Sequence, residues 1–126
     1  MITTTVLKLH DGERNVVMQF SGVSDGEGNE VNERKVDVSS LTPPCSSVSI
    51  RKMMYEVSGG IVELKWDADD PVVFDRLAKT GIVDYSRIGA VINGGGPSAT
   101  GDILISTLGF DSGSSYSVKL EMIKKY

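Results

Sequence analysis

The chain has 126 residues, a length that suits one domain, residues 1–126, built around a single hydrophobic core. Its net charge is −4, so its surface repels phosphate and binding to nucleic acid is not expected. The single cysteine, Cys45, excludes an intrachain disulfide and a cysteine-rich metal site, and the single histidine, His10, excludes a metal site of several histidines.

The first predicted element is a β-hairpin. Thr4–His10 and Asn15–Ser21 both alternate apolar with polar residues, and Asp11-Gly12 between them supplies a turn. A second polar tip, punctuated by glycine, follows at Asp25–Glu30. The extended pattern that resumes at Asn32–Val38 is expected to pair with the strand before it.

The longest predicted strand is Ser47–Val57, and its apolar residues switch faces partway along. Ile50 has one parity, whereas Met53 and Val57 have the other. Such a switch predicts either a β-bulge near Arg51 or a strand that bends from one sheet to another.

A glycine pair, Gly59-Gly60, follows that strand and is predicted to turn the chain into Ile61–Trp66. The second segment also alternates, with Trp66 on its inward face. The two segments are therefore predicted to form a central hairpin.

The middle of the chain has a weaker pattern. Val72–Leu77 is compatible with a short strand or with one helical turn, and Lys79–Gly81 interrupts it. Ile82–Tyr85 is expected to extend briefly. Three consecutive glycines within Asn93–Pro97 predict a flexible or sharply turning loop.

In the final third of the chain, Tyr116–Met122 alternates apolar with polar residues almost perfectly. Gly101–Leu108 and Tyr116–Met122 read as two strands, and Gly109–Ser115 reads as the loop that joins them in a single hairpin. Frequent short strands of this kind predict an all-β fold, a single-domain antiparallel β-sandwich that is jelly-roll-like or Ig-like.

Residues with catalytic chemistry do not form a recognisable set. The Asp25–Asn29 spacing is only a partial match to a calcium loop, and Asp67–Asp70 precede a proline as turn-forming residues do. Gly94–Gly96 lack the lysine of a phosphate-binding loop. The sequence therefore predicts no catalytic residue, no metal site, no cofactor and no small-molecule substrate.

Aromatic residues leave two alternatives open. Trp66, Tyr85 and Phe110 are compatible with a platform for sugar, but the parity of Trp66 favours burial in the core. Tyr85 and Phe110 fall in predicted loops, where contact with another protein chain is expected. With Arg87 and Tyr126 they form the predicted set of contact residues.

Four segments carry a resemblance to a known group of proteins. They lie between Val36 and the C-terminus. The most characteristic parts are Trp66–Ala68, at the end of the third segment, and Gly101-Asp102, near the start of the fourth. The segments are Val36–Thr42, Ile50–Tyr55, Val62–Ala68 and Thr100–Met122. In this pattern the chain resembles small virion structural proteins of tailed bacteriophages.

The resemblance implies a non-enzymatic role on the virion, as a decoration (cement) protein that binds the major capsid protein on the outside of the head. It also implies a homo-oligomer, made in the cytoplasm of the host bacterium. A tail or neck subunit, such as a tube or adaptor protein, is the first alternative, and a carbohydrate-binding module for host adhesion is the second. The N-terminus lacks the pattern of a signal peptide, and no apolar run is long enough to span a membrane, so no membrane contact is expected.

Overall fold

The computed structural model describes residues 2–85, 87 and 90–126. Seven β-strands account for most of them, and no α-helix occurs in these ranges. The strands are β1 (Ile2–Asp11), β2 (Asn15–Ser24), β3 (Glu33–Val36), β4 (Ser47–Trp66), β5 (Val72–Asp84), β6 (Ile103–Leu108) and β7 (Ser115–Lys125). A short 3₁₀ helix, Val38–Ser40, follows β3 and is capped by the side chain of Asp37.

All strand pairs are antiparallel, in the order β1-β2-β7-β4-β6-β3, and β5 pairs with the other edge of β4. Strand β4 has 20 residues, and its two halves have different neighbours. The first half pairs with β7 and the second half with β6. We call β1, β2, β7, the first half of β4 and the second half of β5 the front sheet. The back sheet consists of β3, β6, the second half of β4 and the first half of β5.

Two irregularities in β4 let one strand serve both sheets. Against β7 the register shifts between Ile50 and Lys52, which places a β-bulge at Arg51. Against β5 the register shifts again between Val57 and Val62, where β4 turns from the front sheet into the back sheet. Both alternatives predicted from the parity switch therefore occur, one at Arg51 and the other a few residues later.

The core lies between the two sheets. Strands β2 and β7 contribute every second residue to it, as the alternation predicts for a sheet with one buried face. Trp66 is buried, as predicted, and its ring stacks on Phe74 with centroids 4.1 Å apart. The other large, fully buried side chains are Phe20, Leu41, Ile50, Met53, Leu64, Leu77, Ile103, Ile105, Leu120 and Met122. The predicted class, an all-β antiparallel sandwich, is confirmed.

The N-terminal hairpin is confirmed, because β1 pairs with β2 along its whole length. The pairing predicted for the next segment is wrong. Strand β3 pairs with β6, which lies in the other sheet, rather than with β2. The polar segment between β2 and β3 crosses from one sheet to the other, and Asn32, at its end, has a positive φ of 49°.

The predicted central hairpin is also wrong, because Ser47–Trp66 is one continuous strand and its hairpin partner is β5. The glycine pair serves a close approach rather than a turn. A Cβ atom on Gly60 would lie 2.3 Å from a ring carbon of Phe110, so only glycine leaves room for that ring. The segment after Pro71 is a strand of 13 residues, not a helical turn.

The last predicted hairpin is replaced by an arch. Strand β6 pairs with β3 and β4 in the back sheet, whereas β7 pairs with β2 and β4 in the front sheet. The loop between them spans the gap between the two sheets. Both strands were predicted correctly from the sequence, but the alternation in β7 reports burial and not the neighbouring strand.

Candidate interaction surfaces

Phe110 does not lie where the sequence suggested. Its side chain is only 4% exposed and packs over Gly60, with its ring 6.0 Å from that of Tyr116. The backbone amide of Phe110 donates to the side-chain oxygen of Asn29 at 3.2 Å, which draws the loop inward. The expected exposure of Phe110 is therefore wrong, because the arch between the sheets carries this ring into the core.

The other predicted contact residues lie at the opposite end of the front sheet. Tyr85 directly follows β5, is partly buried, and donates its backbone amide to the carbonyl of Arg51 at 2.8 Å. Burial raises the pKa of its hydroxyl, and the nearby carboxylate of Asp75 adds to that shift. Arg87 is exposed. Tyr126 is 68% exposed, and its hydroxyl donates to the carbonyl of Glu13.

A buried ion pair joins the C-terminal ends of β1 and β7. The ammonium of Lys124, with no exposed side-chain surface, lies 2.6 Å from Oδ1 of Asp11 and donates to the carbonyl of Pro43 at 3.0 Å. Oδ2 of Asp11 accepts the backbone amide of Thr42 at 2.8 Å. Burial raises the pKa of Asp11, but the hydrogen bonds from Lys124 and Thr42 outweigh it, so the net shift is downward.

A second buried cluster anchors the segment between β2 and β3. Glu30 lies 2.8 Å from the ammonium of Lys35 and accepts the hydroxyl of Tyr116 at 2.5 Å. All three side chains are buried. Burial, reinforced by the adjacent carboxylate, raises the pKa of the Tyr116 hydroxyl well above its usual range. The tyrosine therefore stays protonated and acts as a donor that holds Glu30.

A third cluster lies at the edge of the back sheet. The guanidinium of Arg34 is 3.0 Å from Asp67 and 2.8 Å from Asp102. Asp102 also accepts the backbone amide of Val38 at 2.9 Å. Burial raises the pKa of Asp102 despite that bond. As in the two clusters above, each carboxylate is occupied by a partner from the protein itself.

Two features of the described surface are open to a partner. The first is a shallow groove of about 280 Å³ on the outer face of the front sheet. Gln19, Lys119, Met54 and Ile82 lie side by side across it on four neighbouring strands. The groove carries mixed polar and apolar side chains, and its only aromatic residue, Tyr55, packs partly against the core.

The second feature is the free edge of β1. Nearly every side chain of this strand is exposed on both faces, in contrast to the regular alternation of its neighbour β2. Within residues 2–85, 87 and 90–126, no group of three or more His, Cys, Asp and Glu side chains has a geometry that would hold a metal ion. The described ranges also contain no helix long and apolar enough to cross a membrane.

Comparison with known proteins gives only distant likeness. No family model and no curated protein matches the chain. A cupin superfamily protein from Desulfitobacterium hafniense is 13% identical, with 98% of this chain and 79% of that one covered and a TM-score of 0.38. A cupin domain from Bordetella pertussis is 12% identical over 94% and 92% of the two chains, with a TM-score of 0.39. A family 11 carbohydrate-binding module from Clostridium thermocellum is 10% identical over 99% and 83%, with a TM-score of 0.31.

The sequence did not predict the two buried charge clusters or the partly exposed one at Arg34, although one of the buried clusters left a signal. Lys124 continues the parity of Tyr116, Val118, Leu120 and Met122, which are the inward residues of β7. A lysine in register with a buried series indicates a buried ammonium that needs a carboxylate. Its partner, Asp11, is 113 residues away in the chain, and no local pattern connects the two.

Proposed function

We propose that this chain is a non-enzymatic structural protein of a tailed-bacteriophage virion. Its partner is the major capsid protein, and it stabilises the head from the outside as a decoration protein. The resemblance of the segments between Val36 and Met122 to such proteins is the source of the proposal. Production in the bacterial cytoplasm and incorporation into the virion follow from it.

The observation that carries the proposal is the use of the buried charges. Asp11, Glu30 and Asp102 are each held by a side chain from a distant part of the chain, Lys124, Tyr116 and Arg34 respectively. Catalytic acids and bases, by contrast, lie in a cleft where a substrate can reach them. Charges placed in this way stabilise the arrangement of the strands, which is what a shell-binding protein requires.

The aromatic side chains bear on the carbohydrate-binding alternative. Stacking on a sugar needs an exposed aromatic face, but Trp66 and Phe110 are buried in the core. Tyr85 alone of that predicted platform keeps part of its surface exposed. This alternative therefore keeps only one of its three predicted residues, while the proposed contact with a protein shell does not depend on a stacking platform.

Copy number and head stability test the proposal together. Virions assembled with and without the protein are heated in steps, and release of DNA is followed by nuclease sensitivity. We expect hundreds of copies on each head, and release at lower temperature from heads that lack the protein. Adding the purified protein back to such heads should restore their resistance.

Three results would contradict the proposal. Six or twelve copies at the neck or tail would assign the protein to the tail or neck alternative. Heads that lack the protein but resist heat as well as complete ones would remove the cement function. Turnover of a substrate by the purified protein would overturn its non-enzymatic character.

A further inference from the structure

Strand β1 presents a continuous free edge. It pairs with β2 on one side, and no strand of the described chain lies on its other side. The pairing is regular from Ile2 to Lys8, and a register shift follows between Lys8 and His10. Val6 and Leu7, on opposite faces of this regular stretch, are 44% and 49% exposed. An edge of this kind is a template for another strand.

The other long edge of the sandwich is formed by β5, which has features that prevent pairing with a further strand and that β1 lacks. Strand β5 carries charged residues at Asp75, Arg76, Lys79 and Asp84. Lys79 has a positive φ of 61°, and the register against β4 is interrupted twice. Charges and bulges on an edge strand are devices that block strand addition. The regular stretch of β1 contains one charged residue and no proline.

The edge of β1 is also held in place. Lys8 donates its ammonium to the carbonyl of Ser40 at 2.6 Å. The end of the strand is fixed by the buried pair between Asp11 and Lys124. The N-terminal hairpin is therefore part of the front sheet and not an extended arm. A pre-ordered edge loses little conformational entropy when a partner strand binds.

We propose that the edge of β1 pairs with β1 of a second copy of this chain, antiparallel and across a two-fold axis at Thr5. Only this register uses the whole regular stretch, since it pairs Ile2 with Lys8 of the second copy. Antiparallel pairing about a two-fold axis brings residues of the same face together, so Thr3 meets Leu7 on the outer face.

The charge distribution makes this edge the place where a second copy can approach. The chain carries a net charge of −4, so two copies repel each other over most of their surface. The stretch from Ile2 to Lys8 contains no acidic residue, and its single positive charge would face Ile2 of the other copy. No like charges meet along this edge. The inference goes beyond the proposed function and concerns the isolated protein, so the two fail separately.

Sedimentation of the purified protein tests the pairing. We expect a concentration-dependent dimer for the natural chain. Thr5→Lys places two ammonium groups opposite each other at the axis and should weaken dimerisation at least about tenfold. Thr80→Lys is the matched control, because Thr80 is a threonine at the opposite edge of the front sheet, in the same row across the strands as Thr5. It should leave the dimer intact.

Cysteine cross-linking tests the register. In a Cys45→Ser background, Thr5→Cys should form an intermolecular disulfide under mild oxidation, since the two copies of residue 5 face each other. Leu7→Cys and Thr80→Cys should not. A natural chain that is monomeric at all concentrations would overturn the proposal and assign the edge to a different partner. A dimer that tolerates Thr5→Lys, or that Thr80→Lys disrupts equally, would overturn it as well.

Discussion

The buried pair between Lys124 and Asp11 supports the sharpest stability prediction. Lys124→Met keeps the length of the side chain but removes the ammonium, which leaves Oδ1 of Asp11 without its partner. Breaking a buried ion pair from one side costs about 3–5 kcal/mol in unfolding free energy. The Asp11 side chain is 14% exposed and keeps its bond from Thr42, so solvent and that bond compensate part of the loss. We expect about 3 kcal/mol, the lower end of that range.

Urea denaturation at neutral pH and fixed protein concentration measures this loss. Lys125→Met is the matched control, because Lys125 is the next residue and its side chain is exposed. Its effect should stay within about 0.5 kcal/mol. The double variant Asp11→Asn with Lys124→Met removes both charges and should cost clearly less than the two single losses added together. A loss below about 1 kcal/mol for Lys124→Met would refute the structural role of the pair.

The same pair predicts a dependence on pH with a definite sign. The pKa of Asp11 in the folded protein lies below its unfolded value of 3.8, so its stabilising effect is complete above that value. The effect is lost as the pH falls through the lower, folded pKa. The difference in unfolding free energy between the natural chain and Lys124→Met should therefore be full at neutral pH and shrink below pH 3.8. A difference that persists unchanged in strong acid would contradict this sign.

Three further substitutions test the core. Trp66→Ala should lower the unfolding free energy by about 3–5 kcal/mol, as truncation of a buried aromatic does, and an unchanged melting temperature would show that the ring is not core. Gly60→Ala should cost about 1–3 kcal/mol by calorimetry, because its Cβ would overlap the ring of Phe110. Gly94→Ala, which meets only ordinary contacts, should change little, and equal losses at both glycines would refute the close-approach argument. Tyr116→Phe should cost about 1–3 kcal/mol in urea, since a buried carboxylate loses its donor, and a neutral result would mean that water replaces the hydroxyl.

Alternation predicted which residues are buried far better than it predicted which strands are neighbours. In β7 the inward residues Tyr116, Val118, Leu120 and Met122 are all buried, because a strand with one covered face must alternate. The partner of each strand depends on contacts between residues far apart in the chain. Nothing local in β6 or β7 distinguishes a hairpin from an arch, so that prediction failed.

Gly59-Gly60 illustrates why glycine alone does not identify a turn. Glycine is required wherever the backbone needs a positive φ and wherever another group comes too close for a Cβ atom. Gly59 has a positive φ of 93°, and Gly60 lies beneath the ring of Phe110. Both conditions arise at the bend where β4 passes from one sheet to the other. The residue that explains the second glycine is 50 positions further along the chain, beyond the reach of any local pattern.

Phe110 and β1 failed to match expectation in opposite ways, and the same physical reason accounts for both. A loop is expected to be exposed, yet the arch that contains Phe110 spans two sheets and must cover the opening between them. A strand is expected to bury one face, yet β1 extends the front sheet beyond the width of the back sheet, and neither of its faces is covered. Burial is decided by the extent of the opposing layer and not by the type of element. The uncovered strand, anchored at Lys8 and Asp11, therefore leaves the apolar side chains of Val6, Leu7 and Leu9 exposed for a strand from a second molecule to cover.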